Sequence, residues 1–188
     1  MAGVGDVDGN GVLDIVVGSP STKKTSTQWG SVYVLQMQAD GGIHTHYEIT
    51  THSTGVIPLV TGSSFGDSVA GLGDLDGDGT PGLAVGAPKK GSGAVYILLL
   101  NNDGSVKGHS FISINRGGLV GPLVQGDFFG SSVATLVERG DSEEGVVTLV
   151  VGARYDSEGA KGGAVYVLTG RWGWWWWWLL LLLKGWHY

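Results

Sequence analysis

Short apolar runs rich in Val, Ile and Tyr, separated by clusters of Gly, Asn and Asp, fill the chain up to about residue 170. Runs of this length and β-branched character read as strands, and no segment before the C-terminus carries a convincing helical stripe. In the middle of the chain the pattern predicts strands at 67–72, 83–87, 93–100 and 105–113. Pro88-Lys89-Lys90-Gly91-Ser92-Gly93 and Asn101-Asn102-Asp103-Gly104 read as the turns between them.

The runs repeat. Val16-Val17-Gly18-Ser19-Pro20, Ala84-Val85-Gly86-Ala87-Pro88 and Val150-Val151-Gly152-Ala153 are one motif at three places, with Gly18 to Gly86 spanning 68 residues and Gly86 to Gly152 spanning 66. Ser31-Val32-Tyr33-Val34 returns as Ala94-Val95-Tyr96-Ile97 and Ala164-Val165-Tyr166-Val167. Phe65-Gly66-Asp67-Ser68-Val69-Ala70 returns as Phe129-Gly130-Ser131-Ser132-Val133-Ala134. Three motifs in constant order at a fixed period mark a stacked array of supersecondary units. Four antiparallel strands per unit describe a propeller blade. The 35 glycines suit tight hairpins and closely packed inner strands. With 42% hydrophobic and 15% charged residues the chain is too apolar for a solvated coil.

The order Phe-Gly, Ser-Val-Ala, Asp-x-Asp-Gly-Asp-Gly and Val-Gly-Ala-Pro resembles the FG-GAP repeat of the integrin α-subunit headpiece and of many secreted bacterial and algal proteins. The resemblance covers roughly residues 2–169. It implies a β-propeller of about seven blades, with calcium held in the hairpin between the first two strands of some blades, and cell-surface or extracellular binding work, in some cases as an accessory to an enzyme.

The loops argue for a cation on their own chemistry. In Gly5-Asp6-Val7-Asp8-Gly9-Asn10-Gly11 and the residues that follow, Asp6, Asp8, Asn10 and Asp14 stand at relative positions one, three, five and nine, with the Val12 carbonyl at seven. Oxygen ligands at alternating positions suit calcium, a hard ion that takes several of them. Without an ion, the carboxylates crowded into one hairpin repel each other. An EF-hand starts with the same letters but needs a bidentate Glu at position twelve and flanking helices. Position twelve is Val17 in the first copy and Val85 in the second, both inside strands. In the second copy Asp74, Asp76 and Asp78 are present with the Thr80 carbonyl, but the ninth position is Gly82, so water or a neighbour must complete the shell. The third unit reads Glu138-Arg139-Gly140-Asp141-Ser142-Glu143-Glu144-Gly145, without the alternating pattern, and no calcium is expected there. Its Arg139-Gly140-Asp141 reads as chance in a polar loop.

The expected fold is therefore all-β, a partial β-propeller of about three four-stranded antiparallel blades belonging to a larger ring. The expected divisions are a first blade and linker over 1–64, a second over 65–128, a third over 129–170, and a Trp/Leu tail over 171–188. At roughly 65 residues per blade the chain supplies fewer than the four that a closed ring needs. Met1-Ala2-Gly3-Val4-Gly5-Asp6 aligns with Val69-Ala70-Gly71-Leu72-Gly73-Asp74, inside the first strand of a blade, so a fragment of a longer protein is expected. The tail, with Trp174–Trp178 followed by Leu179–Leu183, looks like translated simple-sequence nucleic acid. The run from Trp172 to Leu183 is shorter than the ~20 residues a spanning helix needs.

A net charge of −6 argues against nucleic acid or an anionic membrane as partner, leaving membrane contact to the Trp/Leu tail alone. There is no cysteine, hence no disulfide framework. No catalytic constellation emerges. His44 and His46 read as part of a solvated outer strand without further ligands, and Ser63 and Ser64 lack the setting of a nucleophile elbow. Trp29, Tyr33 and Tyr96 read as packing residues. The expectation is a non-enzymatic, calcium-braced segment for extracellular adhesion or ligand recognition, binding a protein or glycan through inter-strand loops. An accessory module of a secreted hydrolase and a structural surface repeat are the alternatives.

Overall fold

A computed structural model describes residues 1–21, 23–24, 27–50, 62–117, 119, 123–136, 146–155, 162–171 and 177–183. The apolar runs fold as strands: β1 (Ala2–Gly5), β2 (Asp14–Ser19), β3 (Lys23–Lys24), β4 (Thr27–Gln28), β5 (Ser31–Met37), β6 (Ile43–Ile49), β7 (Val69–Gly73), β8 (Gly82–Gly86), β9 (Val95–Leu100), β10 (Val106–Ile112), β11 (Phe129–Leu136), β12 (Val146–Ala153), β13 (Ala164–Arg171) and β14 (Trp177–Leu183). They form three antiparallel meanders, β1-β2-β5-β6, β7-β8-β9-β10 and β11-β12-β13-β14, with β3 and β4 as a small ribbon in the connection between β2 and β5. No helix occurs among the described residues. β7 packs beside β1 and β2, and β11 beside β7, β8 and β9, so the sheets stack as blades with their first strands innermost.

The burial pattern explains why β9 is an unbroken apolar run while β5 alternates. All six residues of β9 are buried, because the middle blade is covered on both faces. Tyr96, Leu98 and Leu100 pack into one core with Val16, Val32 and Val34 of the first blade. Val95, Ile97 and Leu99 pack into the other with Leu149, Val151 and Tyr166 of the third. This is the period of two expected of a strand. In each core a Phe and a Tyr ring meet in a T, Phe65 with Tyr96 at 5.4 Å and Phe129 with Tyr166 at 5.2 Å, both near perpendicular at 84°.

The repeated motifs are the parts that lock one blade to the next. The Phe65 N–H donates to the Trp29 carbonyl at 3.1 Å and the Phe129 N–H to the Ser92 carbonyl at 3.0 Å. The following glycine then lies against the preceding blade's Val-Gly-Ser strand (Gly18) or Val-Gly-Ala strand (Gly86). A Cβ on Gly18 would stand 1.9 Å from the Gly66 carbonyl oxygen, and one on Gly86 would stand 2.0 Å from that of Gly130. Ser68 Oγ donates to the same Gly130 carbonyl at 2.8 Å. This interlock also moves the start of the second blade. The reading of 67–72 becomes 69–73, because Ser64 at φ 55° and Gly66 at φ 88° carry the chain through a turn in which the Asp67 N–H donates to the Ser64 carbonyl.

The fourth strand of the third blade comes from the homopolymer segment. Trp177 to Leu183 pairs residue by residue with β13, from Arg171↔Trp177 to Val165↔Leu183. Trp172–Trp176 and Lys184–Tyr188 lie outside the described residues, as do Arg139-Gly140-Asp141 and Glu143-Glu144.

Candidate metal centre

Each acidic loop begins at a β-bulge. The register of β1 on β2 shifts between Gly3 and Gly5, and that of β7 on β8 shifts between Gly71 and Gly73. Gly5 (φ 108°) and Gly73 (φ 69°) supply the positive φ that turns the chain out of the strand and into the loop.

In the first loop the carboxylates are held by backbone N–H groups. Asp6 Oδ1 accepts from Gly9 at 2.8 Å and Asn10 at 3.0 Å, and its Oδ2 accepts from Gly11 at 2.8 Å. Asp8 Oδ1 accepts from the Asn10 N–H at 3.1 Å. Asp14, at the start of β2, is completely buried; its Oδ2 accepts from Val7 N–H at 2.7 Å and its Oδ1 from Met37 N–H at 2.8 Å, joining the loop to the end of β5. One carboxylate oxygen from each of Asp6, Asp8 and Asp14 falls within 4.8 Å of the others. Asn10 lies over this group with its amide nitrogen on Asp8 Oδ2 (3.0 Å) and the Met37 carbonyl (2.9 Å), while its oxygen accepts from Val12 N–H at 2.7 Å. Donation of that oxygen to an ion requires a half-turn of the amide. Val12 sits on the loop two residues before Asp14. Among the described residues no Lys or Arg pairs with these carboxylates. A buried carboxylate beside two others, with no basic partner, fits a divalent cation.

The second loop gathers Asp74, Asp76 and Asp78 in the same way, within 4.8 Å of one another. Asp74 accepts from Gly77 N–H at 2.8 Å and Gly79 N–H at 2.7 Å. Thr80 donates its N–H to Asp78 at 2.9 Å and its hydroxyl to Asn102 Oδ1 at 2.8 Å. Here, however, a basic residue that the loop sequence does not reveal enters the cluster. Lys107 on β10 places its ammonium 2.9 Å from Asp76 Oδ2 and in contact with Asp78 Oδ2. The Lys107 hydrogen bond, followed by the Thr80 N–H, lowers the Asp78 carboxyl below its usual range. Burial opposes the charge on Lys107, but the hydrogen bonds with Asp78 and Asp76 outweigh it and raise the ammonium. With Gly82 at the ninth position and an ammonium among the carboxylates, this loop does not present the donor set of the first.

His44 and His46 are exposed on β6, one with its ring 3.3 Å from the Gln38 amide and the other 6.3 Å from the Tyr33 ring. No third ligand joins them among the described residues. Ser63 is buried and donates to the Trp29 carbonyl at 3.2 Å, a role in the blade interlock.

Because β8 runs from the acidic loop to the Pro88–Gly93 turn, that turn stands at the opposite end of the blade, together with the residues after β10. A cavity of about 470 Å³ there is lined by Lys90, Ser92, Phe111, Ser113, Ile114 and Arg116. Lys90 Nζ lies 3.7 Å above the Phe111 ring and donates to the buried Tyr96 hydroxyl at 2.8 Å, and Arg116 lies 5.3 Å from the same ring. Burial and then the Arg116 charge lower the Lys90 ammonium, and burial raises the Tyr96 phenol. Tyr96→Phe keeps the ring in the core and deletes the hydroxyl that accepts from the Lys90 ammonium, so thermal melting should register a loss of about 1.5–3 kcal/mol.

Stacked four-stranded meanders locked through a Phe-Gly turn, the first two opening on an aspartate-rich bulge loop, define a repeat of the β-propeller class. Residues 2–35 and 65–98 match the FG-GAP repeat, and these two segments of the chain are FG-GAP repeats. Integrin alpha-PS5 of Drosophila melanogaster is similar at 35% identity over 100 residues, 53% of this chain and 9% of the relative. Integrin alpha pat-2 of Caenorhabditis elegans is 36% identical over 99 residues, covering 52% and 8%. Integrin alpha-7 of Homo sapiens is 39% identical over 99 residues, covering 50% and 8%. The chain thus spans less than a tenth of the length of these relatives.

Proposed function

We propose that the chain is a non-enzymatic, calcium-binding β-propeller segment that serves adhesion or ligand recognition at the cell surface or outside the cell. The ion belongs in the first loop, with Asp6, Asp8 and Asp14 as carboxylate ligands, the Val12 carbonyl and, after its amide turns, Asn10 completing the shell. The observation that carries this reading is Asp14, completely buried within 4.8 Å of two further carboxylates. Bound calcium would relieve that repulsion and tie the β1–β2 hairpin to the end of β5. Recognition of a protein or glycan falls to the inter-strand loops at the other end of the blades, around Lys90, Phe111 and Arg116. The names of the similar integrin subunits support the adhesion reading.

Calcium titration of the full chain by calorimetry, with melting in calcium and in chelator, tests the ion. The expected result is binding in the ~10⁻⁴–10⁻³ M range of extracellular modules, lost in Asp6→Ala. At calcium ~100-fold above Kd the wild-type chain should gain about 2.7 kcal/mol over the chelated one. Absence of binding with identical melting curves would reduce the loop to a solvated Asp/Gly hairpin.

A further inference from the structure

We propose that the second acidic loop is closed by the chain's own cation: Lys107 takes the place that the ion holds in the first loop, so the two acidic loops bind one divalent cation between them and the second blade is braced without one. The inference rests on the reading of the first loop as a calcium site.

Three observations converge on it. The first is register. Met37 pairs with Ile43 across the β5–β6 hairpin, and Leu100 pairs with Val106 across the β9–β10 hairpin. Because Met37 and Leu100 each lie four residues after the repeated tyrosine, Tyr33 or Tyr96, the residue after each pair is equivalent, His44 in the first blade and Lys107 in the second. His44 turns to Gln38. Lys107 reaches across to Asp76 and Asp78. The same strand position thus leaves one acidic loop without a basic group and supplies one to the other.

The second observation is the ligand that is missing. Asp14 ties the first loop to β5 through two backbone N–H groups. Its counterpart Gly82 has no side chain, and a Cβ there would stand 2.8 Å from the Leu98 carbonyl oxygen. Backbone on the neighbouring strand does not yield easily, so the second loop has no room for the ninth-position carboxylate. The third is charge. An ammonium donates three hydrogen bonds and offers no lone pair, so a divalent ion entering between Asp76 and Asp78 must first expel it.

The test combines calcium stoichiometry by calorimetry with melting in chelator for the wild-type chain, Asp6→Ala, Lys107→Met and, as a control for the lost charge, the exposed Lys89→Met. The wild type should bind one calcium and Asp6→Ala none. Lys107→Met should melt lower than Lys89→Met in chelator. It should also gain a second ion at least tenfold weaker than the first, for want of a carboxylate at Gly82. Lower melting with no second ion also supports the lysine brace and assigns the missing ion to Gly82. Two results overturn the proposal: a second calcium in the wild type that survives Asp6→Ala, or a Lys107→Met chain that melts in chelator like Lys89→Met. Failure of the calcium reading itself looks different, since the wild type then binds no ion while the Lys107→Met melting comparison still decides the brace.

Discussion

Gly86→Ala is expected to cost on the order of 4 kcal/mol or more, a large share of the stability of an ordinary domain. The added methyl would sit 2.0 Å from the Gly130 carbonyl oxygen and 2.3 Å from Ser68 Oγ. These two atoms are hydrogen-bonded to each other. Neither is the free end of a flexible side chain. Gly130 is fixed at φ 90° between Phe129, whose N–H is held by Ser92, and Ser131, whose N–H is held by Phe128. Relief therefore requires the blades to move apart, which opens the core formed by Phe129, Tyr166, Val95 and Ile97. Close-packed interiors do not absorb such a displacement gradually. Gly3→Ala is the matched control, because a Cβ there meets nothing within 4 Å. Urea or thermal unfolding should show Gly3→Ala near wild type and Gly86→Ala far below it. Equal midpoints for the two variants would mean that the Phe-Gly interlock does not hold the blades together.

That interlock shows where sequence reasoning reaches and where it stops. Hydrophobic pattern carries the strands: the readings at 83–87, 93–100 and 105–113 fall on β8, β9 and β10 within two residues at each end. Period-two alternation and turn residues are local properties, and a local code records them. The recurrence of Phe-Gly and Val-Gly-Ala-Pro was equally visible, but its meaning was not. The two motifs touch across blades, at Gly18 with Gly66 and Gly86 with Gly130, and nothing within either motif names its partner. The acidic clusters were legible because their spacing brings them together within a single hairpin. Lys107 was not, since its approach to Asp76 and Asp78 depends on the hairpin register two strands away. Comparing repeats would have exposed it, because the position that carries Lys107 carries His44 in the first blade. The pairing of Trp177–Leu183 with β13 escaped for a different reason. A homopolymer has no alternation, so its composition signals neither face nor register.

Asp14 is the residue through which stability and ion binding should prove to be coupled. Asp14→Ala leaves the buried N–H of Val7 without its acceptor, at ~1–3 kcal/mol, and the half-buried N–H of Met37 without its own, at a smaller cost because water reaches it, so roughly 2–4 kcal/mol in total. In chelator part of this loss is offset, because the substitution also removes a charge lying beside Asp6 and Asp8. In saturating calcium the offset disappears and the ion's own contribution is lost as well. The gap between variant and wild type should therefore widen when calcium is added, whereas a purely structural tie predicts a constant gap. Asp14→Asn separates the two roles further. An amide has one accepting end and one donating end, so it can satisfy one N–H but turns a donor on the other, and it cannot replace the charge. It should fall between alanine and wild type in chelator and bind calcium weakly. Melting curves of the three chains at several calcium concentrations read this directly. Parallel curves would make Asp14 a strand tie alone and leave the ion, if it binds, to Asp6 and Asp8.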